Sequence, residues 1–496
     1  MNQTEELKKL TKLDIYPASL TEADGATYFL ARSGSGGEKL VGWVGKSALA
    51  GKKVGSLAGK DVQVGPTDHA NALALRKALP WTAPRCIGLA TSVGLGDRLG
   101  LATPGHVRAV RGTGLAPIFA QQSIREMTRT QRTADQVMDC ATWGVLQEGY
   151  RDGFGSDGDH VQRPEDLAGV VAAGFTMFTI DPGLHVVNQA DTMDSAALSQ
   201  AYAMLDWKTF DTTPSALQEV YCRSTFDLAD GSKITFGEDT FLRAAVKYGA
   251  AIVHVVKMYR QLKSLCKRPF ELEASVDETE SVTSQAEHYF FAAELKRLGV
   301  QWVSLAPRFV GRFEKGVDYI GDLDVFRASF AQHVAVMRTL GPYKLSIHSG
   351  SDKFSIYPIV AELTGGLVHL KTAGTSYLEA VRAISRIDPE LFREIYEFAR
   401  GRYETDKASY HVSADISKVP PASSLSDAQL PATLDDFNAR EMLHVTFGSV
   451  LTADGGQRFR TRFYAALEKQ EEVYYEVLAK HIGRHVAPFV RYAKSR

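Results

Sequence analysis

The chain has 496 residues, 44% hydrophobic and 23% charged, enough apolar material for one large core with additions. Its formal net charge of −1 offers no global field to nucleic acid or an anionic membrane, so a small molecule is the expected partner. No run of about 18 apolar residues is present, the start reads as a charged helix with no apolar leader core, and Cys86, Cys140, Cys222 and Cys266 form no CxxC pair. A cytoplasmic protein with free thiols is expected; the sequence leaves the oligomeric state open, a homo-oligomer included.

In chain order, 26–31 and 39–44 are β-rich runs around a Gly/Ser turn at 33–37, which predicts a hairpin in an N-terminal β-rich addition spanning 1–80. Beyond it the pattern changes to strand, loop, helix. Candidate strands fall near 86–93, 115–121, 142–147, 174–181, 270–276, 301–306, 344–349 and 367–372, with helical patterns between most of them. That count predicts an α/β fold, a (β/α)8 TIM-like barrel over 81–496. The stretch 190–265 is too long for one crossover and reads as a helical insertion; 415–435 is a loop, and 458–481 a final helix packed outside.

Several strands alternate strictly. Phe270, Leu272, Ala274 and Val276 oppose Glu271, Glu273, Ser275 and Asp277; Leu345 and Ile347 oppose Lys344, Ser346 and His348; Val368 and Leu370 oppose His369 and Lys371. Intervening helices imply a parallel, covered sheet, so these polar faces cannot be ordinary wet surface. They belong inside a barrel whose mouth is an active site.

Nucleotide motifs fail. Gly45-Lys46-Ser47 has Leu40 where a phosphate loop needs glycine, and the Gly94–Gly100 run puts its third glycine one residue late and Asp97 against a pyrophosphate. No nicotinamide site is expected.

Gly155-Ser156-Asp157-Gly158-Asp159-His160 reads as a tight polar loop before a helix at 164–173. Its Asp-His pair suits a carboxylate base beside a metal ligand, although a capped surface turn has the same composition. His348, at a strand end before a Ser/Gly loop and Lys353, and His369, two residues before Lys371, converge with it. Three imidazoles, His160, His348 and His369, suit Zn²⁺, Mn²⁺ or a similar divalent ion.

Gly149–His160, Ser275-Val276-Asp277-Glu278-Thr279, Leu305–Gly311, Phe313–Tyr319 and Lys344–Lys353 together resemble the tagaturonate/fructuronate epimerase family of hexuronate catabolism. The likeness runs from about residue 86 to the C-terminus, and the first 80 residues carry no matching motif. It implies a barrel enzyme that uses a divalent metal and an acid/base pair to invert one hydroxyl-bearing carbon of a keto-uronate. Carried over, Asp159 is the base, His160 and His348 are ligands and Glu273 is the acid, with Glu271 an alternative on the same face.

The inverted carbon is β to both the ketone and the carboxylate, so its C–H is not acidified. With hydride transfer unsupported, a retro-aldol opening and reclosure is the expected route. The substrate carboxylate needs a cation: Arg308, Lys353 and Lys371 are candidates, with Lys315 on the following loop, and each equally fits a structural ion pair with Glu271 or Asp181. Two rivals share these features: a metal-dependent aldolase of phosphorylated ketoses, which would need a phosphate cradle, and a non-catalytic barrel subunit, against which Asp159, His160, Glu273 and His348 speak.

Overall fold

The computed structural model describes residues 3–34 and 36–493; Ser35, inside the expected turn at 33–37, and the first two residues lie outside them. The chain opens with an antiparallel sheet: β1 (Asp14–Ile15), β2 (Thr21–Ala23), β3 (Ala26–Arg32), β4 (Lys39–Val44), β5 (Lys52–Leu57) and β6 (Lys60–Pro66), in the order β1-β3-β4-β6-β5 with β2 on β3. β3 and β4 are the hairpin read from the sequence, paired from Thr27–Val44 to Arg32–Lys39. One face of this sheet buries Tyr28, Leu30, Val41 and Trp43 against Leu75 of helix His69–Ala78 and against Trp143 and Leu146 of helix Ala134–Glu148. The addition therefore rests on one of the barrel's outer helices, each such large side chain contributing about 1.5–3 kcal/mol by leaving water.

Eight parallel strands then close a barrel: β7 (Ser92–Gly94), β8 (Ala116–Ser123), β9 (Gly155–Val161), β10 (Met177–Ile180), then, after a β11–β12 hairpin (Thr225–Asp227, Lys233–Thr235), β13 (Glu271–Val276), β14 (Ser304–Pro307), β15 (Lys344–Ile347) and β16 (Val368–Lys371). Neighbours in sequence are neighbours in the barrel, and β16 closes onto β7. The stretch 190–265 contains three short helices, the hairpin and the helix Glu238–Leu265, the long crossover that delivers the chain to β13. The expected final helix at 458–481 is two, Arg460–Lys469 and Glu471–Val486.

The third strand differs from the sequence reading. Residues 142–147 lie within the helix Ala134–Glu148, started by a reciprocal Thr133–Gln136 capping box and stopped by Gly149 at φ 57°. The Gly-Asp-Gly-Asp-His segment, read as a loop, is β9 itself. Its glycines and aspartates have little strand propensity; they form a strand because β8 and β10 pair with them on both sides and because the aspartates find partners inside. The first strand also starts later than expected, at Ser92.

Candidate active site

β9 brings the chemistry to the mouth. Asp157 and Asp159 face inward, and Lys371 Nζ, projecting from β16, lies 2.9 Å from Asp157 Oδ2, 2.6 Å from Asp159 Oδ1 and 2.7 Å from Glu273 Oε1 of β13. Gln121 Nε2 of β8 donates to Asp159 Oδ2 at 2.8 Å. Gly94 makes room for that amide: a β-carbon there would stand 3.0 Å from Gln121 Oε1. In a regular strand His160 would point away from Asp159. It has φ 48°, and the pairing register shifts between Phe178 and Ile180 opposite it, so both neighbours reach the mouth.

His160, Asp277 and His348 each offer one ligand atom, and these atoms all lie within 4.8 Å of one another. His160 Nδ1 is held by Asp181 Oδ2 at 3.0 Å, which leaves Nε2 on the side of Asp159, 3.8 Å from Oδ1. His348 Nε2 is held by Glu273 Oε1 at 2.6 Å, which leaves Nδ1 facing Asp277 Oδ1 at 3.0 Å. Each imidazole thus has one nitrogen braced by a carboxylate and the other turned toward a shared point, the arrangement that orients metal-binding histidines.

The electrostatics agree with a cation at that point. Five carboxylates line this floor: Asp157, Asp159 and Glu273 surround Lys371, while Asp181 and Asp277 face the His160 and His348 imidazoles. Burial pushes the His160 imidazole down, yet Asp159 and Asp181 outweigh it and lift its pKa to about 10. His348 is raised as well, burial being overcome chiefly by Asp277. Burial raises the Asp159 carboxyl, but Lys371 and the two imidazoles hold it well below the ordinary range, so it stays ionised. Two nitrogens and a carboxylate on so acidic a floor fit a divalent ion of the zinc or manganese type.

The other residues singled out in the sequence are dispersed. His369 lies deeper: its Nδ1 is 2.9 Å from Ser92 Oγ, and burial pushes its pKa down to about 3. It does not join the His160–Asp277–His348 group, and Asp277, last inward residue of the alternating run 271–277, stands where a third ligand was expected from His369. Glu273 is fully buried beneath His348, with Ser304 Oγ donating to it at 2.5 Å, whereas Glu271 sits at the opposite end of its strand and accepts from the Gly88 amide. Arg308 leaves the sheet, because β14 ends at Pro307; its guanidinium donates to the Thr279 carbonyl. Lys353 is fully buried, its ammonium donating to the carbonyls of Glu314, Val317 and Ser351.

The mouth is an inner cavity of about 70 Å3, bounded by Asp159, His160, Asp277, His348 and Lys371, and an outer cleft of about 380 Å3 lined by Arg308 and Phe313. Arg125, Lys315, Ser349 and Tyr410 line both.

Comparison with known proteins gives one consistent result. The profile of the family described as tagaturonate epimerase matches residues 16–489. A tagaturonate/fructuronate epimerase of Thermotoga maritima is 46% identical over 477 residues, 95% of this chain and 96% of that protein. Crystal structures of the fructuronate-tagaturonate epimerase of Cohnella laeviribosi, native and with one glycerol, are 36% identical, cover 98% of this chain and 99% and 98% of theirs, and superpose with TM-scores of 0.90 and 0.89.

Proposed function

This chain belongs to the tagaturonate epimerase family, and we propose that it interconverts D-tagaturonate and D-fructuronate, using a divalent cation held by His160, Asp277 and His348. The observation that carries the reading is the pair of imidazoles, each braced by a carboxylate and turned with Asp277 toward one point beside Asp159. A cation bound there would supply Lewis acidity to the substrate ketone and its neighbouring hydroxyl.

The carbon to be inverted is β to both carbonyl groups, so removing its hydrogen would leave a carbanion with no electron sink. Opening the adjacent carbon–carbon bond gives an aldehyde and an enediolate; rotation and reclosure then invert the centre. Of the three carboxylates that line the inner cavity, Asp277 belongs to the ligand group and Glu126 is tied to Arg98 by two hydrogen bonds. Asp159 therefore takes the hydroxyl proton as the bond opens. Lys371 and Gln121 fix its two oxygens and keep that proton within the barrel until reclosure. Glu273 has a different part from the acid expected of it: buried under His348, it orients the imidazole.

The test is epimerisation of tagaturonate in D2O by the metal-loaded protein, followed by NMR. The hydrogen on the inverted carbon becomes the aldehyde hydrogen and stays, so no deuterium is expected there. Solvent deuterium at that carbon overturns the bond-opening route; absence of fructuronate overturns the activity.

A further inference from the structure

Three ammonium groups buried in and around the barrel are neutralised or saturated within the protein. Lys371 has three carboxylates within 2.9 Å, Lys247 has Asp191 and Glu287, and Lys353 has three backbone carbonyls. Lys315 donates to Ser349 Oγ at 2.5 Å and, among the described residues, has no carboxylate within ion-pair distance. An ammonium has three donors, and taking one even partly out of water with so little return is costly. Its side chain is half-buried and lines both the inner cavity and the outer cleft.

The other cations of the mouth are committed. Arg98 is bound twice by Glu126, Arg129 donates to the Tyr410 hydroxyl, and Arg308 donates to the Thr279 carbonyl. Arg125 is half-exposed and meets Glu278 only at 3.5 Å. The floor, with its five carboxylates, repels an anion, so an anionic group on a molecule seated there is driven outward to Lys315 and Arg125.

We propose that Lys315, assisted by Arg125, forms the carboxylate subsite that makes this mouth select a uronate over the corresponding neutral ketose. This rests on the keto-uronate reading above and adds the residue that recognises the acid end. Burial, the leading influence on Lys315, holds its pKa below the usual lysine value, as expected of an ammonium whose counter-ion arrives with the ligand.

The test uses binding, so that it does not depend on turnover. Calorimetric titration of the metal-loaded protein with D-galactonate and with galactitol compares one six-carbon polyol chain with and without a carboxylate. Wild type should prefer galactonate by about 10–10²-fold, the scale of a hydrogen bond to a charged group. Lys315→Met should abolish most of that preference with metal content unchanged, Lys315→Arg should retain part of it, and Arg125→Met, at a half-exposed position, should reduce it several-fold. In turnover, the ratio of kcat/KM for tagaturonate to that for D-tagatose should fall by the same factor in Lys315→Met. No preference in wild type, or a full preference in both Lys315→Met and Arg125→Met, overturns the subsite. A protein that shows the preference but makes no fructuronate overturns the reaction while leaving the subsite standing.

Discussion

His160 occupies the left-handed region at φ 48° with a full side chain, a conformation that costs about 1–3 kcal/mol and persists only where surrounding contacts over-determine it. The contacts that hold it are the Asp181 hydrogen bond and the flanking pairings of β9, and the result is that the proposed base and a proposed ligand come from consecutive residues. This defines separable outcomes. His348→Ala and Asp277→Ala should each lose bound metal by elemental analysis, whereas His369→Ala should keep it, because His369 bonds Ser92 below the ligand group. Metal lost from His369→Ala, or kept in Asp277→Ala, would show the ligand set to be wrong. Asp159→Asn should keep its metal and lose at least about 10²-fold in kcat, the usual worth of a general base. Full activity in that variant would remove Asp159 from the mechanism.

At the scale of elements, the segment 410–414 crosses the mouth: Tyr410 lines both cavities, and the strap is anchored through Ser413 and Ala414. Their amides donate to Glu314, next to Lys315, and to Glu441 in helix Phe437–Val445. Burial first, and the neighbouring Glu314 second, push the Glu441 carboxyl up to about 8. A carboxyl raised on folding binds its proton more tightly in the native state, so its contribution is full below the ordinary carboxylate range and is lost as pH rises toward about 8. Glu441→Gln keeps a carbonyl acceptor for the strap and cannot ionise. Its melting temperature should match wild type near about pH 5 and exceed it near about pH 8.5. Equal pH profiles for the two proteins would show that the pair holds no shared proton. The same scale explains the missed strand: β9 carries two glycines and four charged or polar side chains, so local propensity favours a loop, and only pairing on both sides makes it a strand.

The whole molecule closes around this mouth from its C-terminal end. His481 and His485 of helix Glu471–Val486 meet Asp352, in the loop that follows His348, and Arg440 lies on the same carboxylate. The trio has the composition of a metal group, but its donors are spent: the Asp352 amide donates to His485 Nε2, and Arg440 occupies Asp352 Oδ2. It is a latch fixing the loop that carries His348 and Ser349. Because the proposed cation binds only the folded barrel, chelation should abolish activity and lower the melting temperature. At metal a thousandfold above Kd the stabilisation is about 4 kcal/mol, which for a chain of 496 residues corresponds to about 4 °C. An unchanged melting temperature after complete removal of metal would exclude a cation at these residues.

The sequence by itself determined the periodicities: seven of the eight barrel strands and the helices between them, an N-terminal hairpin, inward faces carrying Glu273, His348, His369 and Lys371, and membership of a family that the comparisons bear out. Alternation says which face a side chain takes, because that depends only on the pleat. It is silent on depth, which is set by how each strand is staggered against its neighbours around the closed barrel. Hence only the tertiary structure placed His369 a layer below His160 and His348 and put Asp277 beside them. It also turned Lys353 under three carbonyls and left Lys315 facing the cavity without a carboxylate partner among the described residues.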